Sequence, residues 1–312
     1  MHLILGATGA FGGAVMRELL SRGQPVRALV RDPARVTLPP GVEVVKGDVA
    51  DLPGLLDAAK GCESIIHGVN LPYPRWYTEM LRLHDHVVEA SGLTGATLVF
   101  PGNIYGLKPV YGVPLPWNAP QFDSMDKAIR KGVLRIQMEA QLEQNTVLRN
   151  VRTIIVRAGD YFGPGVDNGL VTPMVQAARI GGGFPWPGRL DVGHAFTYIG
   201  DAASVAVGML LRSDPPSSLY EVVNVHGHYV ESARAWAEAL GKASGRTVKA
   251  RSLPFWQVRL AGVFSPVVRE FAELLYQWEG PLLLDDSRTR ALLPGWQPVP
   301  LHDALAAWVA AE

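Results

Sequence analysis

His2-Leu3-Ile4-Leu5-Gly6-Ala7-Thr8-Gly9-Ala10-Phe11-Gly12-Gly13 opens the chain, and this stretch decides how the rest is read. A short apolar run that ends in glycines describes a buried strand. From Phe11 to Arg22 the spacing turns helical: Val15, Leu19 and Leu20 recur on one face, Arg17, Glu18 and Arg22 take the other, and Gly23 stops the helix. A helix that starts directly after a strand aims unpaired N–H groups and a positive dipole end at the crevice above the sheet. Phosphate oxygens fit such a crevice, provided the backbone can come close, and residues without a Cβ permit that at Gly6, Gly9 and Gly12. The same glycines would also let a helix pack tightly on a strand, so the context has to decide.

Strand-like runs follow at 26–30, 42–46, 64–67, 96–100 and 152–157, separated by helix-like runs at 52–60, 76–91 and 125–144. Repeated strand–helix units predict an α/β protein, a Rossmann doubly wound parallel sheet of six strands covered on both faces. Beyond Arg157 the texture changes to Gly163-Pro164-Gly165 and the Gly181-Gly182-Gly183-Phe184-Pro185-Trp186-Pro187-Gly188 run, with helix-like stretches at 232–240 and 301–311. The expected division is residues 1–160 for a dinucleotide-binding domain and 161–312 for a smaller C-terminal α/β substrate lobe.

Within 312 residues, 48% are hydrophobic and 19% charged, an ordinary globular balance. Lys plus Arg and Asp plus Glu both number 29, so no net field favours nucleic acid or an anionic membrane surface as partner. The single cysteine, Cys62, excludes an intrachain disulfide framework and a Cys-rich zinc site, and no metal is expected. With no leader pattern ahead of the first strand and no apolar run of spanning length, the expectation is a cytoplasmic protein acting on a small molecule.

The end of the second strand would face an adenosine ribose. It reads Leu29-Val30-Arg31-Asp32. Arg31 would pair with a 2′-phosphate, which favours NADP(H), whereas Asp32 would accept from a 2′-hydroxyl and serve NAD(H) instead. Aromatic residues gather at Tyr73-Pro74-Arg75-Trp76, at Trp117 and at Phe184-Pro185-Trp186, a make-up suited to the mouth of a pocket for a fairly apolar or planar ligand.

With Thr8-Gly9-Ala10-Phe11-Gly12-Gly13 in place, the chain resembles the extended (atypical) short-chain dehydrogenase/reductase superfamily, in particular its NAD-dependent epimerase/dehydratase group. Gly47-Asp48-Val49 resembles the family's third-strand signature, whose acid contacts adenine, and Ile65-Ile66-His67-Gly68-Val69 resembles the strand lining the nicotinamide. Ile104-Tyr105-Gly106, Tyr161-Phe162-Gly163-Pro164-Gly165, Tyr198-Ile199-Gly200-Asp201 and Val223-Asn224-Val225 are similar to later landmarks in the same order. The resemblance implies cofactor contacts from Gly6, Thr8, Gly9, Ala10, Phe11, Gly12, Arg31, Asp48, Val49, Gly68 and Val69. It also implies that segments near 196–226 return to the first domain, and a homodimer through the 76–91 and 125–144 helices.

At the catalytic motif the sequence departs from the family, which places a Ser or Thr before the Tyr-Gly pair and then a Tyr-x-x-x-Lys helix. Phe100-Pro101-Gly102-Asn103 occupies the serine segment, and matching Met138-Glu139 to the family's Ala-Glu puts Lys131 at the tyrosine and Arg135 at the lysine. Arg135 would hold the nicotinamide ribose or steer a hydroxyl, since a guanidinium orients but hardly titrates. Lys131 would act as an acid if burial or cationic neighbours depressed its pKa. The other reading makes Lys127, Arg130, Lys131 and Arg135 a solvated basic helix face. Tyr105, Tyr111, Tyr161 and His194 are further candidate acids, and Trp76, Asn103, Tyr105, Trp186 and His194 are the expected substrate contacts, with His194 open to a purely structural reading. Two functions follow: an NAD(P)-dependent oxidoreductase or epimerase/dehydratase-like enzyme moving a hydride to or from a carbonyl or alcohol carbon without Tyr-x-x-x-Lys, or a non-catalytic NADP(H)-binding regulator or scaffold.

Overall fold

The computed structural model describes residues 1–123, 125–214 and 218–311, the side chain of Lys127 excepted. Five strands, β1 (His2–Leu5), β2 (Val26–Val30), β3 (Val42–Lys46), β4 (Ser64–His67) and β5 (Thr97–Asn103), alternate with α1 (Ala10–Ser21), α2 (Leu52–Ala59) and α3 (Leu81–Thr94). The two-residue strand β6 (Pro114–Leu115) lies apart from them, and α4 (Arg130–Arg149) then leads into β7 (Thr153–Ala158). β1, β4 and β7 are buried along their whole length, as strands covered by helices on both faces should be. β3 is half open, with charged Glu43 and Lys46 on an edge that meets solvent.

The second half continues through β8 (Asp160–Phe162), α5 (Thr172–Ile180), β9 (Gly182–Pro187), β10 (His194–Tyr198), α6 (Ile199–Leu210) and β11 (Tyr220–Asn224). It closes with β12 (His228–Val230), α7 (Ala233–Ser244), β13 (Val248–Leu253), α8 (Phe255–Phe264), α9 (Pro266–Ala272), β14 (Leu283–Leu284), α10 (Ser287–Leu292) and α11 (Leu301–Ala310). The large sheet is parallel, in the order β11-β7-β5-β4-β1-β2-β3. It therefore has seven strands where six were expected. The seventh, β11, pairs with β7 from Tyr220 opposite Thr153 to Asn224 opposite Arg157, so the chain re-enters the first sheet after leaving it. Smaller sheets, β12-β10-β8 and β13-β9, build the second lobe.

Two helices differ from the spacing. The 76–91 stretch begins as a π-helical turn, Trp76–Met80, before α3 proper. The 125–144 stretch becomes α-helical only at Arg130, after a 3-10 turn over Lys127–Ile129, and runs on to Arg149, where Asn150 turns left-handed at φ 54°. Asp123 and Asp126 explain the late start: their carboxylates accept from the backbone N–H groups of Met125 and Ala128, offering the chain a turn in place of a helix. Among the described residues no helix is long and apolar enough to cross a membrane, and no group of three or more His, Cys, Asp or Glu side chains is placed to hold a metal.

Candidate functional site

The strand order reverses between β1 and β4, and a doubly wound sheet binds ligands in the crevice outside the strand ends at that point. The glycine turn sits there. Gly6 has φ +74°, and a Cβ on it would fall 2.4 Å from the Gly68 carbonyl oxygen; one on Gly12 would fall 2.4 Å from the Gly6 oxygen. These two glycines hold β1, β4 and α1 together. The remaining turn residues, Thr8 and Gly9, are exposed at the lip, with Gly9 as the N-cap of α1 and no side chain capping it. The first-turn N–H groups of Ala10, Phe11 and Gly12 thus have no acceptor within the helix and open onto the crevice. This is a phosphate cradle in geometry and in electrostatic sign.

Along the rim, Asp32 accepts from the Ala34 N–H at 3.2 Å and so caps a short 3-10 turn, while the exposed Arg31 has no hydrogen-bond or ion-pair partner among the described residues. Asp48 is exposed at the end of β3 and accepts from the Ala50 N–H at 2.9 Å. Gly68 donates to the Leu5 oxygen, and Val69 follows it half-buried.

Beyond β4 and β5 the crevice meets a cluster of aromatic hydroxyls. The Tyr73 and Tyr105 hydroxyls lie 2.8 Å apart, Tyr73 packs edge-on against the Trp76 ring, and Asn103 accepts from the Tyr105 N–H. The buried Arg135 stands over the Phe100 ring at 4.5 Å and donates to the Pro101 carbonyl. Two buried polar atoms of this cluster, Arg135 Nε and the Tyr161 hydroxyl, have no partner. Such groups are costly to bury unpaired, so their convergence marks where a ligand's polar atoms would go.

Burial dominates the electrostatics. It pushes the Tyr73 phenol up to about 12, against the hydrogen bond with Tyr105 and the nearby Arg135 charge and with help from Asp160 and Glu273. Burial also raises Tyr105 well above the usual range, with Tyr73 and Asp160 adding to it, and raises Tyr161. Desolvation lowers Arg135 despite the pull of Glu139 and the surrounding tyrosines. The result is a set of neutral phenols beside a buried cation.

Lys131 and Arg135 do not form a solvated basic face. Both are buried, at 0% and 6% exposure. The Lys131 ammonium donates to Glu270 at 2.5 Å, to Glu273 at 3.1 Å and to the Tyr77 hydroxyl at 2.9 Å, which uses all three of its N–H donors. Its backbone N–H donates to the other Glu273 oxygen at 2.6 Å. Lys131 therefore binds α4 to the region of α9, and Tyr73 and Tyr105 stand where hydroxyl chemistry is available.

The second lobe also departs from expectation. Phe184 and Trp186 are buried at 1% and pack into the lobe's aromatic core with Phe196 and Trp278, away from any pocket mouth. The strand β9 turns them inward because its alternate residues, Gly183 and Pro185, take the exposed face. His194 is buried between this core and Asp160: its ring stacks on Trp278 at 3.8 Å and its Nε2 lies 2.9 Å from the Asp160 carboxylate. Trp76 is likewise buried, its indole N–H donating to the Leu71 carbonyl, and it lines the cluster as a wall. Trp117 is exposed, under the Arg288 guanidinium at 4.0 Å, and Tyr111 lies apart, donating to the Tyr276 carbonyl. A buried histidine pair escaped the sequence reading: His84 Nε2 faces the Met138 carbonyl, so its Nδ1 accepts from His67 Nε2–H at 3.1 Å, leaving His67 Nδ1 as a bare acceptor.

Comparison with known proteins agrees with this geometry. Residues 6–90 match the family model described as NAD(P)H-binding, so the chain carries an NAD(P)-binding Rossmann domain. The whole chain has the fold of solved NAD-bound enzymes, epimerases among them. The enzyme WbmH of Bordetella bronchiseptica in complex with NAD+ superposes with a TM-score of 0.72 at 19% identity, covering 99% of this chain and 97% of the other. UDP-glucuronic acid 4-epimerase from Bacillus cereus in complex with NAD does so with 0.75 at 17% identity and the same coverage. In sequence, a 3-diazoavenalumate denitrifying reductase from a Streptomyces species is 26% identical over 276 residues, 84% of this chain and 87% of that protein.

Proposed function

We propose that the protein is an NADP(H)-dependent reductase that delivers hydride to a small, largely apolar or planar carbonyl compound, with the Tyr105 hydroxyl as proton donor and Tyr73 behind it. The Tyr73–Tyr105 hydroxyl pair beside buried Arg135 carries this reading. The turn from Gly6 to Gly12, with Asp48, Gly68 and Val69, would hold the dinucleotide, and Arg31 would pair with its 2′-phosphate. When bound, the reduced nicotinamide supplies a hydride to the carbonyl carbon, and the C=O π pair moves onto oxygen. Tyr105 donates its proton to that oxygen, Tyr73 refills Tyr105 along the 2.8 Å hydroxyl contact, and the half-buried Tyr73 takes a proton from solvent in turn. Arg135 orients the polar end of the substrate through its unpartnered Nε.

The raised phenols set the protonation state in which the site meets its substrate. Burial keeps the Tyr105 phenol protonated at neutral pH, so a proton is available for the alkoxide that hydride transfer forms. The reverse reaction would need a phenolate as base, and burial makes that form scarce at neutral pH. A protonated donor is the form that reduction uses, and a reductase is among the relatives.

Turnover is measured as loss of reduced-nicotinamide absorbance with a panel of aromatic aldehydes, ketones and quinones. Tyr105→Phe should lower kcat by about 10²- to 10⁴-fold, the usual contribution of general acid catalysis, with the NADPH Kd unchanged. The wild-type rate should stay flat between roughly pH 6 and 9, because the donor remains protonated throughout. Full activity in Tyr105→Phe would remove the proton-donor assignment. Tight NADPH binding with no oxidation by any compound would instead favour a regulator or scaffold, a reading supported by the commitment of Lys131 to two carboxylates.

A further inference from the structure

The overall charge balance of the chain hides a local excess. From residue 239 to 269 there are six basic residues, Lys242, Arg246, Lys249, Arg251, Arg259 and Arg269, and not one Asp or Glu. Lys242 pairs with Glu238; the other five have no ion-pair partner among the described residues. The same stretch contains the most exposed apolar surface of the second lobe. Trp256 is 63% exposed, Leu260 55%, Val263 69% and Phe264 83%, and Val267 at the start of α9 adds 55%.

The helical repeat of α8 explains why these residues act together. At 3.6 residues per turn, Trp256, Leu260, Val263 and Phe264 fall within one arc, while the buried Val258 and Gly262 fall on the opposite side, where α8 packs against α9 at Arg269. Arg259 flanks the apolar arc and is exposed, as is Arg269 on α9. An exposed apolar stripe of Trp, Leu, Val and Phe edged by arginines, with Glu270 turned inward onto Lys131, suits a surface that meets a membrane interface.

We propose that the α8–α9 hairpin docks the protein onto an anionic phospholipid bilayer, with Trp256, Leu260, Val263 and Phe264 entering the headgroup boundary and Arg259 and Arg269 meeting lipid phosphates. Charge selects this occupant over a second copy of the chain. Two copies meeting face to face on this hairpin would bring Arg259 and Arg269 of each against those of the other, and the hairpin's one acid, Glu270, is taken up by Lys131. The face where the family resemblance places a homodimer lies elsewhere: α3 and α4 expose Arg82, Asp85, Gln137, Glu143 and Gln144, with Leu93, Val147 and Leu148 towards their C-terminal ends.

Docking would also reach the candidate pocket. α9 carries Glu270, which with the neighbouring Glu273 grips Lys131 and Tyr77 next to the Tyr73 wall. The hairpin is thereby fixed to the crevice side of the molecule.

Co-sedimentation of the full-length protein with phosphatidylcholine vesicles, and with vesicles containing phosphatidylglycerol, tests the proposal. Partitioning should be at least tenfold stronger on the anionic vesicles and should fall as salt is raised. At about fivefold per cation, R259E/R269E should weaken it by roughly twentyfold or more, and W256S/F264S should weaken it on the anionic vesicles as well. Circular dichroism and NADPH affinity of both variants should match wild type, since these side chains are exposed and outside the crevice. Three results would overturn the proposal: no partitioning onto anionic vesicles, equal partitioning onto both compositions, or a stable dimer in solution that W256S/F264S dissociates.

Discussion

Arg31 shows what a single side chain contributes to cofactor choice. Asp32 spends one carboxylate oxygen on the Ala34 N–H, which stiffens the turn after β2, and leaves Arg31 exposed and unpaired at the strand end. A 2′-phosphate placed there would gain a charge-assisted hydrogen bond, worth about 1.5–3 kcal/mol. Arg31→Ala should therefore weaken NADPH binding by roughly ten- to a hundredfold and leave NADH nearly unchanged, as read by fluorescence titration with both coenzymes. Equal losses for the two would assign the ribose contact elsewhere. Sequence reasoning reached this residue because the strand before it is short, apolar and bounded. It reached Arg135 by matching the helix to a family motif, but burial of that guanidinium over Phe100 depends on how α4 settles on β5, which no local spacing encodes.

The element that most alters the expected picture is α4, fastened to α9. Glu270 and Glu273 lie 139 and 142 residues from Lys131 in the chain, so periodicity could not have paired them. The early strands were legible for the opposite reason: β1 to β4 begin and end at the residues the apolar runs indicate, because each run is short and bounded by turn residues. The Lys131 cluster also has a pH signature. Burial pushes the Glu270 carboxyl up, but hydrogen bonds from Lys131 and Tyr77 outweigh it and hold the group below the ordinary carboxylate range. A carboxylate with a depressed folded-state pKa contributes stability above its unfolded value, about 4.3, and loses it as pH falls through the folded value. Lys131→Met strands two carboxylates in a largely buried site and should cost about 3–5 kcal/mol at neutral pH. Because protonation then relieves the variant, the gap between the two proteins should narrow as pH drops from roughly 7 to 4 in urea denaturation. A gap independent of pH would mean that the cluster contributes packing alone.

At the scale of the whole molecule, the two lobes share one interior. A single apolar cluster runs from Ile4, Val15 and Leu19 in the first unit through Val205 and Ala206 of α6 to Trp186, Trp236 and Trp308 in the second. β11 is laid beside β7, and Glu221, buried within β11, is held by Arg152 at 2.7 Å and Arg212 at 3.0 Å. A boundary near residue 160 therefore divides the sequence but not the core. Truncation at that point would strip β7 of its outer neighbour and α1 of α6, exposing Val15, Leu19, Ile154 and Val156. The 1–160 fragment should be insoluble or molten, with far-UV but no near-UV dichroism. The intact protein should unfold in one denaturant transition by both probes, although a chain of this length often shows more than one. NADPH at 100 times its Kd should then move that whole transition by about 2.7 kcal/mol, because the cofactor binds the native state of the entire cooperative unit. Two transitions, of which NADPH shifts only one, would show instead that the lobes fold separately and that the shared cluster is a contact between finished domains.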